Sequence, residues 1–444
     1  MKEGTDMGFN GEQYFNYAKE KRDDILCIDM KSFYASVECV ARGLKPLKDL
    51  LVVMSGDRNG GGLALSASPM AKLELGISNV TRGYEIPKDS RLHVVPPRMN
   101  LYIKVNMMIN NIFTRYVADE DIFVYSIDET FVRVKASKKL FNMNAYEFAR
   151  QFQRDIYHET GLYCTVGIGD NMLLSKLALD NEAKKNPDMI ADWRYEDVPN
   201  TVWKIKELTD FWGINRKSEQ RLHRKGIETI YDLAHYDFFY MKETMGVVGQ
   251  QLVAHAWGID RTDISEKYVP KSKIIGNSQV LMRDYHKVSE IKIVIREMAE
   301  QVATRIRTKG LQTGCVHLGI VYSRDEQEKG FSRQIKIDPT NDSRVLSQHC
   351  LRLFDKFYEG QIVRNVSVTY SKLTDSQFLQ LDLFNPPEEL IARTELEEAI
   401  DHIRRRFGFA SIVHASSYLE GASAIRRASL VGGHAGGNDG LVWN

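Results

Sequence analysis

Two carboxylates stand side by side in Tyr125-Ser126-Ile127-Asp128-Glu129-Thr130-Phe131, after the apolar run Ile122-Phe123-Val124 and before an apolar run resuming at Val132 and Val134. Adjacent strand residues point to opposite faces, so neighbouring acids reach one site only if a turn bends the backbone between them. The stretch therefore reads as a β-hairpin with acids at its tip. Alone, such a pair is most often a solvated turn. A second apolar run ending in a carboxylate, Asp24-Ile25-Leu26-Cys27-Ile28-Asp29-Met30, changes that reading. Paired side by side, the two strands place Asp29, Asp128 and Glu129 together at one sheet edge. Three carboxylates cannot stay ionised in one place without cations. Hard oxygen ligands suit Mg²⁺, and two such ions ~3.5–4 Å apart are the common apparatus of in-line phosphoryl transfer.

At 444 residues the chain exceeds one core and fits about three domains. Its net charge is only +1, but residues 271–372 carry 18 Lys and Arg against 11 Asp and Glu, a local +7 that leaves the remainder near −6. A basic module on an acidic body points to a polyanion partner for that module. The five cysteines (Cys27, Cys39, Cys164, Cys315, Cys350) are scattered and lack CxxC spacing. They fit buried thiols in a reducing compartment rather than a disulfide frame or zinc site. With no signal peptide and no run of ~18 apolar residues, a cytoplasmic protein without a membrane contact is expected.

Behind the first strand, Asp29-Met30-Lys31-Ser32-Phe33-Tyr34-Ala35-Ser36-Val37-Glu38 enters a helix. Together with Ser126-Ile127-Asp128-Glu129 it resembles the signature of Y-family translesion DNA polymerases, and later details resemble the UmuC-like, UvrX-type proteins of Gram-positive bacteria. The resemblance runs from about residue 24 to the C-terminus. It implies an α+β, multidomain, right-hand polymerase with a ferredoxin-like palm, small fingers, a helical thumb and an α/β little finger. It also implies two Mg²⁺ ions held by Asp29, Asp128, Glu129 and the Met30 carbonyl, a steric gate at Tyr34 and a neighbouring nucleotide contact at Phe33.

The implied organisation is an N-terminal extension over 1–22, read as mobile or loosely docked, palm over 23–43 and 96–188, and fingers over 44–95. A thumb over 189–262, a linker over 263–275, a little finger over 276–379 and a tail over 380–444 complete it. In the fingers, Ser68-Pro69-Met70-Ala71-Lys72 opens a helix with Pro near its first turn, and a helix N-terminus with a nearby Lys suits a triphosphate. The resemblance gives Lys72 that role, although the interval to Gly76 is one residue longer than the family's usual one. A helix over 98–118 should bury Leu101, Val105, Met108 and Ile112. With a helix near 144–160 and a strand at Tyr163–Gly169, the order β-α-β-β-α-β describes a ferredoxin-like layer.

Lys176 and Lys184 stand two helical turns apart, before Asn186-Pro187. The resemblance makes Lys184 the triphosphate ligand, with Lys185 also open because this interval too is one residue long, and sets Lys176 nearer DNA. Gly213-Ile214-Asn215 resembles the turn of a helix-hairpin-helix, whose backbone N–H groups meet a DNA phosphate. Asn215 stands where a second Gly is usual, and Asn tolerates left-handed backbone. In the basic module, Arg333 and Lys336 fall on a strand expected to track the duplex. Gln380-Leu381-Asp382-Leu383-Phe384, before Asn385-Pro386-Pro387, matches the bacterial sliding-clamp motif at Gln380, Leu381, Leu383 and Phe384. Residues 388–407 read as an amphipathic helix with Leu396, Ile400 and Ile403 on one side and Arg404-Arg405-Arg406 near its end.

The expected partners are primer-template DNA, dNTP and the clamp, with the need for accessory SOS proteins left open. Nothing outside the three carboxylates clusters acids as a proofreading exonuclease would. Two other readings compete: a palm-type nucleotidyl cyclase, which has no use for a thumb or clamp peptide, and a catalytically silent DNA- and clamp-binding factor.

Overall fold

The computed structural model describes residues 11–56, 62–266, 269–270, 273–376 and 386–437. The chain packs as two compact units, residues 1–267 with 436–444, and residues 268–435.

In the first unit, α1 (Gly11–Tyr14) leads to β1 (Ile25–Met30) and α2 (Phe33–Val40). The chain then makes a small three-stranded sheet, order β3-β2-β4, from β2 (Leu51–Ser55), β3 (Leu63–Ala67) and β4 (His93–Val95), with α3 (Pro69–Leu75) beside it. It returns through α4 (Met99–Phe113), β5 (Ile122–Val124), β6 (Glu129–Arg133), α5 (Lys138–Phe141), α6 (Ala145–Thr160), β7 (Cys164–Gly169), α7 (Met172–Ala178) and β8 (Ile190–Trp193). The main sheet runs β5-β6-β1-β7-β8, with β1 antiparallel to both neighbours. The first four of these strands have the ferredoxin-like order. Residues 190–193, expected to open the next domain, instead add a fifth strand parallel to β7.

The sheet is a buried layer: Leu26, Cys27, Phe131, Val132, Val166 and Ile168 are all buried. On α4 the core stripe is Tyr102, Val105, Ile109 and Ile112. Met108, expected in that stripe, is exposed, because it lies one residue off the 3.6-residue line through the buried positions. The helix also ends at Phe113, short of 118. Three helices follow, α8 (Arg216–His223), α9 (Ile230–Ala234) and α10 (Phe238–Ala256). Their core takes in Phe15, whose ring meets Phe238 edge-on at 5.6 Å. Tyr17 stacks on Tyr195 at 4.9 Å and donates to the Trp257 carbonyl. Residues 11–22 are therefore docked by aromatic packing, not loose as expected.

The second unit repeats the alternation: β9 (Ile275–Tyr285), α11 (Val288–Arg307), β10 (Leu311–Tyr322), β11 (Gly330–Thr340), α12 (Ser343–Phe357) and β12 (Val363–Asp375). Its sheet order is β11-β10-β12-β9, all antiparallel. Ile291, Ile295, Met298 and Val302 of α11 are fully buried against it, as their spacing predicts. Then α13 (Pro387–Phe407) follows, and α14 (Ala424–Ala428) comes later in the tail. On the apolar side of α13, Leu396 and Ile403 are exposed and Ile400 is partly buried. Buried ions dock the helix, Asp401 to Arg307 at 2.7 Å and Arg404 to Glu300 at 2.9 Å. All five cysteines are free and buried.

Candidate active site

Asp29 on β1 and Glu129 on β6 are register partners, and cross-strand partners share a face. Asp128 precedes β6 at the hairpin tip. Its backbone carbonyl accepts from the Met30 N–H at 2.9 Å, and its carboxylate accepts from Ser126 Oγ at 2.7 Å. The Ile127 carbonyl accepts from Asn106 Nδ2 at 2.8 Å, and the N–H groups of Tyr125 and Ser126 both donate to the Glu129 carbonyl. These bonds hold the bend that the sequence requires between the two acids.

The electrostatics register the cluster. Burial pushes the Asp29 carboxyl up to about 6, Lys184 pulls against this, and the charges of Asp128 and Glu129 push further. Glu129 accepts from Lys176 Nζ at 2.9 Å and from the Cys27 thiol at 3.1 Å. Lys184 lies 3.3 Å from Asp29. Asp180 joins both lysines, at 3.1 Å from Lys176 and 2.7 Å from Lys184. Burial works against the Lys184 ammonium, but Asp29 and Asp180 hold its pKa above lysine's ordinary value.

Among the described residues, no three His, Cys, Asp or Glu side chains converge closely enough to hold a metal as they stand. Each of the two lysines engages one of the carboxylates, Lys176 with Glu129 and Lys184 with Asp29. The donor chemistry nevertheless fits a hard divalent cation: three carboxylates at one sheet edge, with the Met30 backbone alongside.

Lys176, expected nearer DNA, is buried against Glu129 instead. The cause is local. A Cβ at Gly167 or Gly169 of β7 would overlap the backbone of Ser175, so the two glycines let α7 lie directly on the strand. That close approach delivers Lys176 to the carboxylates. Beyond α7, Leu179–Ala183 form a π-helix. A π-turn absorbs one extra residue within a helix, which accounts for the long interval before Asn186-Pro187. Lys184, rather than Lys185, reaches Asp29.

Ser32 adopts left-handed backbone (φ 49°) ahead of α2 and turns the chain sharply after the strand. Tyr34 then stacks on Tyr102, ring centroids 4.4 Å apart. Its hydroxyl pKa is raised by burial and then by the charge of Asp128. Phe33, expected as a nucleotide contact, is instead buried and packs edge-on against Tyr102. Ser68 caps α3 by accepting from the Ala71 N–H, with Pro69 in the first turn. Lys72 is held below lysine's ordinary value by burial and then by Lys184 and Lys31, with Asp29 opposing.

Gly213 has φ 97°, as a hairpin turn demands. Asn215 differs from expectation: it is extended (φ −100°) and its side chain caps α8, accepting from the N–H groups of Lys217 and Ser218 at 3.0 and 2.9 Å. Asn is a favoured N-cap, and that preference wins over its tolerance of left-handed backbone. A second glycine turn, not singled out from the sequence, breaks α10 at Gly246 (φ 71°, ψ −164°). The signal was available in Gly246-Val247-Val248-Gly249, two glycines inside a helical pattern.

In the second unit, Arg333 and Lys336 leave β11 on opposite faces. Arg333 pairs with core-facing Leu318 and sits 5.0 Å over the Phe357 ring of α12. Lys336 pairs with Cys315 on the face away from the helices, in line with Ser332 and Gln334. Residues three apart on a strand cannot share a face, so the two cannot track one duplex surface together. Gln380, Leu381, Leu383 and Phe384 lie outside the described residues.

Residues 28–180 match the model of the impB/mucB/samB family, and residues 272–383 match that family's C-terminal domain. The chain is 44% identical over 420 residues to the UV-damage repair protein UvrX of Bacillus subtilis (strain 168), covering 94% of this chain and 99% of that protein. It is 35% identical over 419 residues to DNA polymerase IV 2 of the same organism, covering 93% and 99%. Among solved structures, a Y-family DNA polymerase chimera, Dbh-Dpo4(243-245)-Dbh, shares the fold with a TM-score of 0.63 at 19% identity, over 79% of this chain and 99% of that one. The family matches, the relatives and the fold together define a UmuC-like Y-family polymerase. The chain belongs to the impB/mucB/samB family.

Proposed function

We propose that the chain is a template-directed DNA polymerase of the translesion type, adding dNTPs to a primer 3′ end without proofreading. The observation that carries the reading is the Asp29–Glu129 register pair with Asp128 at the bend, faced by Lys184. Asp29, Asp128, Glu129 and the Met30 carbonyl would hold two Mg²⁺ ions. Bound there, the metals supply charge neutralisation at the triphosphate and activation of the primer 3′-hydroxyl. Lys184 and Lys72 neutralise the triphosphate and orient it, so that catalysis is positioning plus charge stabilisation. Tyr34 stands where the ring meets a ribose 2′-hydroxyl, and Phe33 supports the helix turn beneath it.

The turns at Gly213 and Gly246 would seat primer-template phosphates on backbone N–H groups. Lys336 and the hydroxyl-rich sheet face around it would follow the duplex, while Arg333, though exposed, lies over the Phe357 ring. The Gln380–Phe384 peptide would bind the bacterial sliding clamp. No helix among the described residues is long and apolar enough to cross a membrane, and a cytoplasmic site of action is part of this proposal. A catalytically silent DNA- and clamp-binding factor is not favoured, because the chain matches polymerase relatives along nearly its whole length and keeps Asp29, Asp128 and Glu129. Primer extension by the full chain with Mg²⁺ and dNTPs, on intact and abasic templates, tests the reading. Insertion opposite the abasic position supports it, and no extension on either template, with a sliding clamp supplied, overturns it.

A further inference from the structure

Tyr34 and Glu38 stand four residues apart on α2, one helical turn along the same face. Tyr102 from α4 spans that interval. Its ring lies parallel to the Tyr34 ring, with 15° between the planes. Its hydroxyl donates to Glu38 Oε1 at 2.8 Å. Tyr102 and Glu38 are both 0% exposed, whereas Tyr34 is only partly buried. Glu38 is itself fixed: Arg98 donates to it twice, Nε to Oε1 at 2.9 Å and Nη2 to Oε2 at 2.5 Å, and Arg42 donates as well.

A partly exposed tyrosine on a helix surface can change its χ1 rotamer. A ring that must reject a 2′-hydroxyl works only if it cannot swing aside. Resting on the reading of Tyr34 as the sugar-facing ring, we infer that the Glu38–Tyr102 pair is the positioning device for ribose discrimination. Tyr102 is the surface against which the Tyr34 ring is pressed. Glu38 holds Tyr102 by its hydroxyl, so neither ring tilts unless the buried carboxylate gives way. Tyr102 and Glu38 touch no reacting atom in this scheme, and they act through Tyr34.

The readout is the ratio of ribonucleotide to deoxyribonucleotide insertion in single-nucleotide extension, which a change in folded fraction does not move. The proteins compared are wild type, Tyr34→Ala, Tyr102→Leu, Tyr102→Phe, Glu38→Gln and the Tyr34→Ala, Tyr102→Leu pair. An offset aromatic stack is worth up to about one factor of ten, so Tyr102→Leu is expected to raise relative ribonucleotide insertion by up to about tenfold. Tyr102→Phe, which keeps the ring and removes only the hydroxyl, should raise it less, and Glu38→Gln should follow Tyr102→Phe. Because the effect passes through Tyr34, Tyr102→Leu should add nothing to Tyr34→Ala. If Tyr34→Ala admits ribonucleotides while both Tyr102 variants keep the wild-type ratio, the positioning role is overturned and the gate stands. Full additivity in the pair overturns it as well. An unchanged ratio in Tyr34→Ala removes the gate reading and the inference with it.

Discussion

Lys176 and Glu129 form a buried ion pair, Nζ to Oε2 at 2.9 Å, with both side chains about a tenth exposed. Removing one partner of such a pair leaves an uncompensated buried charge, at a cost of roughly 3–5 kcal/mol. Lys176→Gln should therefore melt well below wild type in metal-free buffer by calorimetry, and Mg²⁺ should restore more stability to the variant than to wild type. A double variant Lys176→Met, Glu129→Gln should lose less than the single one.

Asp29 has its carboxyl pushed up to about 6, above the unfolded value near 3.8. A group whose pKa is higher in the folded state adds stability below the unfolded pKa, and that contribution is lost as pH rises through the folded one. Metal-free protein should therefore lose this contribution between about pH 4 and 6, and Asp29→Asn should not. Melting temperatures of the two proteins in EDTA across that window check it. Parallel curves would contradict the assignment.

Lys184 reaches Asp29 and Lys185 does not. A charge-assisted hydrogen bond is worth about 1.5–3 kcal/mol, roughly 10- to 100-fold in an equilibrium. Lys184→Ala should raise the apparent KM for dNTP by that order, and Lys185→Ala should change it little. Steady-state insertion kinetics separate the two.

Asp401 docks α13 through Arg307 at 2.7 Å and Thr304 at 2.9 Å. Since ion pairs rather than apolar packing hold this helix, Asp401→Asn should release it. Limited trypsin digestion should then cut faster within Arg404-Arg405-Arg406, where Arg404 is buried in the docked state.

The carboxylates were legible because two apolar runs each ended in acid, and a strand pair leaves little freedom in where those ends go. Lys184 was legible only through resemblance. The Asp180 bridge was not, because it depends on a π-turn whose only trace is one extra residue before Asn186. Lys176 was misplaced because a helical wheel gives no depth, and only the glycines of β7 set how closely α7 approaches. The split of Arg333 from Lys336 was readable from strand alternation alone. The polar docking of α13 was not, since Leu396, Ile400 and Ile403 present an ordinary apolar stripe that tertiary ion pairing overrides.

In the proposed mechanism Asp128 and Glu129 carry nucleotidyl transfer. Single-nucleotide extension of a primer, run with wild type and an Asp128→Ala, Glu129→Ala double variant in Mg²⁺, tests it most directly. Extension by wild type alone, with the variant still folded and still binding primer-template DNA, is the expected result. Equal extension by both proteins would contradict that role for the two carboxylates.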